Sequence, residues 1–242
     1  MNRVFSFFLG AMVALLPAVA GAAEGKIVVA SKIDTEGALL GSMIASLLEA
    51  RGLAVENKLQ LGPTNIVRAA ILAGQIDIYP EYTGNGALFF HLEQDSVWKD
   101  RAKGAAKVAA LDREQNHLVW LAAAPANNTW TIALRQDLAE RHGLKTMGDF
   151  AKYLASGGAI KLAALGLTAL EDDKGAQVVY APAPVVREAV LQQHPEIAAV
   201  LDPVFATLTL ETLQQLNAKI AVEGEDAAAV ATAYLTSKQF LP

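Results

Sequence analysis

The chain has 242 residues, and its 20 Lys and Arg against 25 Asp and Glu give a formal net charge of −5. This mildly acidic balance argues against a nucleic-acid-binding protein, because such proteins present a clustered basic surface to the phosphates. The sequence contains no cysteine, which excludes disulfides, a thiolate nucleophile and a cysteine-ligated zinc site. The chain is long enough for one large domain or two small lobes, which must be stabilised by a hydrophobic core.

The first 23 residues have the layout of a secretory signal peptide. Arg3 supplies a positive charge, residues 4–16 form an apolar run too short to cross a bilayer comfortably, and Pro17 ends that run. The small residues at 18–23 are typical of a cleavage site, so we expect the chain to be exported and cut near the end of this segment. The alternative is a retained N-terminal anchor.

In the first third of the chain, short β-branched runs alternate with helical patterns. The predicted strands are 26–30, 54–59 and 76–78, and the predicted helices are 38–51 and 64–73. The apolar residues of the first helix are spaced as one face: Leu39, Leu40, Met43, Ile44, Leu47 and Leu48. This alternation predicts an α/β fold with a largely parallel sheet. Loops at 31–37 and 79–86 follow two of the strands, at the carboxyl edge where open α/β sheets bind ligands.

The rest of the chain is predicted to hold shorter strands and a helical tail. The predicted strands are 118–121, 130–134 and 178–180, and the predicted helices are 105–112, 146–154, 184–193, 203–207, 210–220 and 226–238. Thr146 is expected to cap its helix, with Asp149 completing a capping box.

Signatures of common enzyme classes are absent. The sequence has no dinucleotide fingerprint, Walker loop, Gly-x-Ser-x-Gly or His-Glu-x-x-His motif. The four histidines are far apart and show no metal-ligand spacing: His91, His117, His142 and His194. We therefore predict no catalytic residue, no metal and no cofactor, although an α/β fold alone does not exclude an enzyme.

Four aromatic residues fall at or next to predicted strand ends: Tyr79, Tyr82, Trp130 and Tyr180. Aromatic faces attract cations, and cages of such rings recognise quaternary ammonium groups. The alternative is that the rings pack in the core, which is the favoured interpretation for Tyr79. Tyr82 differs because the glycines around it allow the backbone to approach a ligand. Lys32 follows the first strand, where it either meets a carboxylate or is simply solvated.

At these residues the sequence resembles a known family. The matching blocks are Ser31-Lys-Ile-Asp-Thr-Glu-Gly37, Gly62-Pro-Thr-Asn65 through Tyr79-Pro-Glu-Tyr-Thr-Gly84, Asn128-Thr-Trp130 and Val179-Tyr-Ala-Pro-Ala-Pro-Val-Val-Arg187. They are similar to the periplasmic glycine betaine/choline-binding proteins of osmoprotectant ABC importers. The resemblance implies two α/β lobes of the type II binding-protein topology that close on a ligand held by an aromatic box.

The resemblance also implies the ligand-binding residues. They are Lys32, Tyr82, Asn85, Asn128, Trp130 and Tyr180. Lys32 would meet the ligand carboxylate, and Asn85 takes the place of a carboxylate-binding hydroxyl residue. Trp130 stands where the family often has tyrosine, which keeps the cation–π contact because tryptophan offers the best face. Asn128 stands where some members have Asp, so one attractive charge is lost.

One departure from the family is expected to matter. Residues 157–163 are followed almost directly by 165–170, whereas family members carry several dozen more residues at this junction, including an Arg for the carboxylate and another box Tyr. We predict a first lobe of residues 24–128 and 180–242, and a truncated second lobe with the hinge strands at 129–179. The expected function is capture of glycine betaine or a related quaternary amine for an importer permease by a periplasmic monomer, with weakened affinity. The alternatives are a non-binding module that docks the permease, a degenerate remnant, or an enzyme.

Overall fold

A computed structural model describes residues 25–156 and 167–241. The strands in these ranges are β1 Ile27–Lys32, β2 Val55–Gly62, β3 Ile78–Tyr82, β4 Leu118–Trp120, β5 Ala133–Arg135, β6 Leu167–Ala169 and β7 Pro182–Arg187. The helices are α1 Thr35–Ala50, α2 Thr64–Leu72, α3 Gly86–Phe89, α4 Arg101–Asn116, α5 Gln136–His142, α6 Met147–Ala155, α7 Glu188–Gln193, α8 Glu196–Phe205, α9 Leu210–Ala221 and α10 Ala227–Ser237. The predicted signal peptide and most of the predicted junction at 157–170 lie outside the described residues.

The larger sheet has five strands in the order β2-β1-β3-β7-β4. β1 runs parallel to β2 and β3, whereas β7 runs antiparallel to β3 and β4. The α/β prediction is confirmed, and four of these five strands run in the same direction, as expected of a largely parallel sheet. The exception is β7, which enters the sheet between β3 and β4 from the opposite direction.

Helix α1 is the centre of the main core. Its predicted apolar face is confirmed, since all six of its large apolar residues are at most 1% exposed. One side of the helix packs on β1 and β2, and other contacts are made by α8, α9 and α10. Burying each such side chain stabilises the fold by about 1.5–3 kcal/mol. The Asp34 carboxylate accepts a hydrogen bond from the N–H of Gly37 at 2.7 Å and so caps the helix.

Three predictions fail around the third and seventh strands. The predicted loop 79–86 is a strand as far as Tyr82, and only then a short 3₁₀ turn over 83–85. The predicted strand 178–180 is irregular, and the segment 184–187, predicted as the start of a helix, belongs to β7. The pairing of β7 with β3 explains why 184–187 is a strand, because Pro184 lies opposite Pro80. Neither proline has an N–H to contribute, so a non-hydrogen-bonded pair accommodates both inside the sheet.

A smaller unit contains the antiparallel pair β5–β6 with α5 and α6. Its core is formed by Leu134, Ala139, Leu144, Phe150 and Leu170. The predicted capping box is confirmed: the Asp149 N–H donates to the Thr146 hydroxyl at 3.0 Å, and the Thr146 N–H donates to the Asp149 carboxylate at 3.1 Å. Among the residues at 25–156 and 167–241, no helix has the length and apolarity needed to cross a membrane.

Candidate ligand-binding site

The carboxyl edge of the larger sheet gathers segments that are far apart in sequence. β1, β3 and β4 all end at this edge, because they run in the same direction. β7 is antiparallel to them, so the residues that precede it arrive at the same edge. The start of α1, the turn after Tyr82, and the segments around Asn128 and Tyr180 are therefore brought together.

A cavity of about 380 Å³, here called the aromatic cavity, opens at this edge. It is lined by Asp34, Tyr82, Asn85, Asn128, Thr129, Trp130 and Tyr180. Five of the six residues predicted for the site line this one cavity. The Trp130 side chain is 78% exposed, whereas Tyr82 is 7% exposed. The three rings come from separate segments of the chain, and the topology of the sheet brings them to one cavity.

Lys32, the sixth predicted residue, lies outside that lining. It is 5% exposed, and its ammonium group donates to Oε1 of Glu81, a carboxylate with no exposure to solvent. The same oxygen accepts from the N–H of Tyr82 and from the Asn85 amide, both at 2.7 Å. The Lys32 ammonium also lies 4.2 Å from the centroid of the Tyr82 ring. Lys32 and Glu81 therefore orient two lining residues, and one face of Tyr82 is already occupied by a cation.

Glu36 is a further buried carboxylate at the site that was not among the predicted residues. Its Oε1 accepts from the Tyr82 hydroxyl at 2.7 Å and from the Asn128 amide at 3.2 Å, and its Oε2 accepts from the Asn217 amide at 2.7 Å. The pKa of Tyr82 is raised well above its usual value, mainly by burial and next by the charge of Glu36, so the phenol remains a donor. The only signal for Glu36 was its position in a family block, because one acid in a first helical turn is otherwise unremarkable.

A second cavity of about 360 Å³, here called the adjoining cavity, shares the Asn128–Trp130 wall with the aromatic cavity. Its other sides come from Glu36, from α9 through Leu213 and Asn217, and from the smaller unit. The smaller unit contributes Met147, Ala169, Leu170 and Asp172. The Asn217 Oδ1 atom is buried without a hydrogen-bond partner.

The wall between the cavities is held by the two segments that connect the larger sheet to the smaller unit. The Asn128 N–H donates to the Tyr180 carbonyl at 2.9 Å, and the Tyr180 N–H donates to the Asn127 side chain at 2.8 Å. Gly84 packs closely on the same place, since a Cβ there would lie 2.8 Å from the Tyr180 ring. Partial burial raises the pKa of Tyr180. These contacts fix the backbone position of Tyr180, and therefore the point from which its ring extends.

The larger sheet, the smaller unit and the two cavities at the sheet edge together define an α/β ligand-binding protein of the type II periplasmic class. Comparison with known proteins gives the family. The chain belongs to the family described as the substrate-binding domain of ABC-type glycine betaine transport systems, which it matches over residues 25–161 and 158–237. The family resemblance predicted from the sequence blocks is therefore confirmed.

Individual relatives agree with this assignment. The chain is 45% identical to the glycine betaine-binding protein YehZ of Escherichia coli, in an alignment that covers 89% of this chain and 92% of that protein. The structure of apo YehZ superimposes with a TM-score of 0.75 at 44% identity, covering 89% of this chain and 99% of that one. A glycine betaine/carnitine/choline ABC transporter structure shares the fold, with a TM-score of 0.74 at 18% identity, over 89% and 99% of the two chains.

The alignment with YehZ also contains large gaps. It runs over 279 positions, whereas 89% of the 242-residue chain is about 215 residues, so about 64 positions have no residue in this chain. The two segments that match the family meet at residues 158–161. Gaps of this kind are what a shortened second lobe would produce; the lobe boundaries themselves stay a prediction.

Proposed function

We propose that this chain captures a small quaternary-ammonium compound, glycine betaine or a relative, in the aromatic cavity and delivers it to an ABC importer. The observation that carries the proposal is that three aromatic side chains from separate segments line one cavity of about 380 Å³. A methylated nitrogen has no N–H to donate, so aromatic faces are the groups that recognise it best. The volume falls within the range of about 300–1,000 Å³ typical of small-molecule sites.

The lining residues have different proposed roles. Trp130 offers the largest accessible face, because 78% of its side chain is exposed. Tyr180 adds a half-buried ring, and Tyr82 adds an edge, since Lys32 covers one of its faces. Asn85 and Asn128 supply polar contacts. Lys32 acts through Glu81 and Tyr82, rather than by touching the ligand.

Membership of the family supports the wider setting. We propose that the chain is exported to the periplasm through residues 1–23, works as a monomer, and docks an importer permease without catalysing a reaction. The proposed first lobe is 24–128 and 180–242, and the proposed shortened second lobe is 129–179. With fewer groups to surround the ligand, affinity is weaker than in full-length relatives.

Calorimetric titration of the chain with choline and with glycine betaine tests the proposal. Saturable binding of at least one ligand is expected, and Trp130→Ala should weaken it by about tenfold or more, because a desolvated cation–π contact is worth up to about 2 kcal/mol. Trp130→Phe keeps a ring and should lose less. The control is Val222→Ala, which removes an 83% exposed apolar side chain outside the linings of both cavities.

Two outcomes would count against the proposal. Unchanged affinity in Trp130→Ala would remove Trp130 from the site. No heat with either ligand, while the protein remains folded and pulls down its permease, would favour the non-binding docking module.

A further inference from the structure

The charges around the two cavities are all of one sign. Asp34 lines the aromatic cavity, and Glu36 and Asp172 line the adjoining cavity. Among the described residues of both linings there is no lysine, arginine or histidine. A ligand carboxylate in either cavity would therefore find no oppositely charged side chain among these described lining residues.

Two basic groups that lie beside the lining residues are already engaged. The Lys32 ammonium is paired with Glu81 in the interior. The Arg101 guanidinium donates to the backbone carbonyls of Ala124 at 2.9 Å and Ala126 at 2.8 Å. Neither side chain lines a cavity. Turning Lys32 toward a ligand would leave the Glu81 carboxylate without its counter-cation, and turning Arg101 would remove the donor to two carbonyls, which is costly in a buried setting.

The positive end of α1 does not supply the missing charge either. A helix N-terminus attracts anions through its free N–H groups and its dipole. Here the Asp34 carboxylate already accepts from the first turn, with 2.7 Å to the Gly37 nitrogen, and Glu36 lies in that same turn. Two carboxylates thus already lie at the helix N-terminus that could attract a ligand carboxylate, and like charges brought together disfavour binding.

We infer that this site selects quaternary-ammonium ligands with a net positive charge, such as choline, over zwitterions that carry a carboxylate, such as glycine betaine. The inference rests on the proposed function and adds to it the charge class of the ligand. It differs from the sequence-based expectation, in which Lys32 meets a ligand carboxylate.

Three ligands with the same trimethylammonium head separate the effect of charge from that of the cation–π contacts. They are choline, glycine betaine and the amide of glycine betaine, in which the carboxylate is replaced by an uncharged group of similar shape. Choline and the amide should bind with similar dissociation constants by calorimetry, and glycine betaine about tenfold more weakly. Glycine betaine binding as tightly as its amide would overturn the inference and leave the proposed function standing. Binding of none of the three would overturn both.

Variants test whether the carboxylates of Asp34 and Glu36 cause the difference in affinity between glycine betaine and its amide. Asp34→Asn keeps an equally good helix cap, and it should reduce the preference for the amide over glycine betaine at least about threefold. Glu36→Gln should act in the same direction, and the buried Oδ1 of Asn217 provides an acceptor for the new amide. Glu211→Gln, on the exposed surface of α9, is the control and should leave the ratio unchanged. An unchanged ratio in both cavity variants, with native circular dichroism, would contradict the inference.

Discussion

Replacing Lys32 by methionine tests the buried pair that supports the site. The variant removes the positive partner of Glu81, a carboxylate with 0% exposure. Breaking a buried pair from one side costs about 3–5 kcal/mol, because the remaining charge has lost its compensation. With a denaturant slope of about 2 kcal/mol per molar, the urea midpoint should fall by about 2 M.

The double variant Lys32→Met, Glu81→Gln is the matched control. It removes both charges, while the remaining oxygen of Gln at position 81 can still accept from the Tyr82 N–H and the Asn85 amide. Most of the lost stability should return, giving a coupling energy of at least about 2 kcal/mol. A single Lys32 variant within about 1 kcal/mol of the parent protein would refute the reasoning.

The double variant also decides what Lys32 does for the ligand. Because Lys32 lies outside the cavity lining, the preference between choline and glycine betaine should be unchanged in the folded double variant. Selective loss of glycine betaine binding would instead support a direct contact between Lys32 and the ligand carboxylate, as the family resemblance implies.

Three further predictions concern stability. Gly84→Ala would bring a Cβ to within 2.8 Å of the 178–180 segment, so it should lower the free energy of unfolding in urea by about 1–3 kcal/mol. The control is Gly104→Ala, inside a helix, where the nearest atom to the new Cβ lies at 3.4 Å; this variant should be neutral or stabilising. Thr146→Ala should cost about 1 kcal/mol by removing the capping box, and Thr146→Ser should cost much less. Burial raises the pKa of Tyr82 above 10.0, so above that pH the unfolded chain loses a proton that the native protein keeps. Stability should therefore fall above about pH 10, by up to about 1.4 kcal/mol per pH unit, and Tyr82→Phe should reduce this slope in urea unfolding from about pH 9 to about pH 11; an identical slope in the variant would contradict the assignment.

The sequence could predict features that depend on neighbouring residues. The apolar face of α1 and the Thr146 capping box both follow from spacings within four residues, and both are confirmed. The blocks that resemble the family identified it correctly, because each block is a short continuous run that can be read without knowing which distant residues meet. Of the aromatic residues that line the cavity, Tyr82 ends a strand as predicted, whereas Trp130 and Tyr180 lie in irregular segments, contrary to the predicted strands 130–134 and 178–180.

Features that depend on distant pairing could not be predicted. The sequence predicts a helix start at 184–187, because a proline there matches a helix N-terminus locally, and only the facing Pro80 makes Pro184 compatible with a sheet. Lys32 looked accessible, and its burial against Glu81 depends on two strands meeting 49 residues apart in sequence.

By itself, the sequence determined the α/β class, the family and five of the residues that line the aromatic cavity. The tertiary structure alone decided the mixed direction of the sheet, the pairing of Lys32 with Glu81, and the position of Glu36 between Tyr82 and Asn217. The physical reason is that local patterns record which side chains are buried, whereas the charge balance of a cavity depends on which distant groups neutralise each other once the chain has folded.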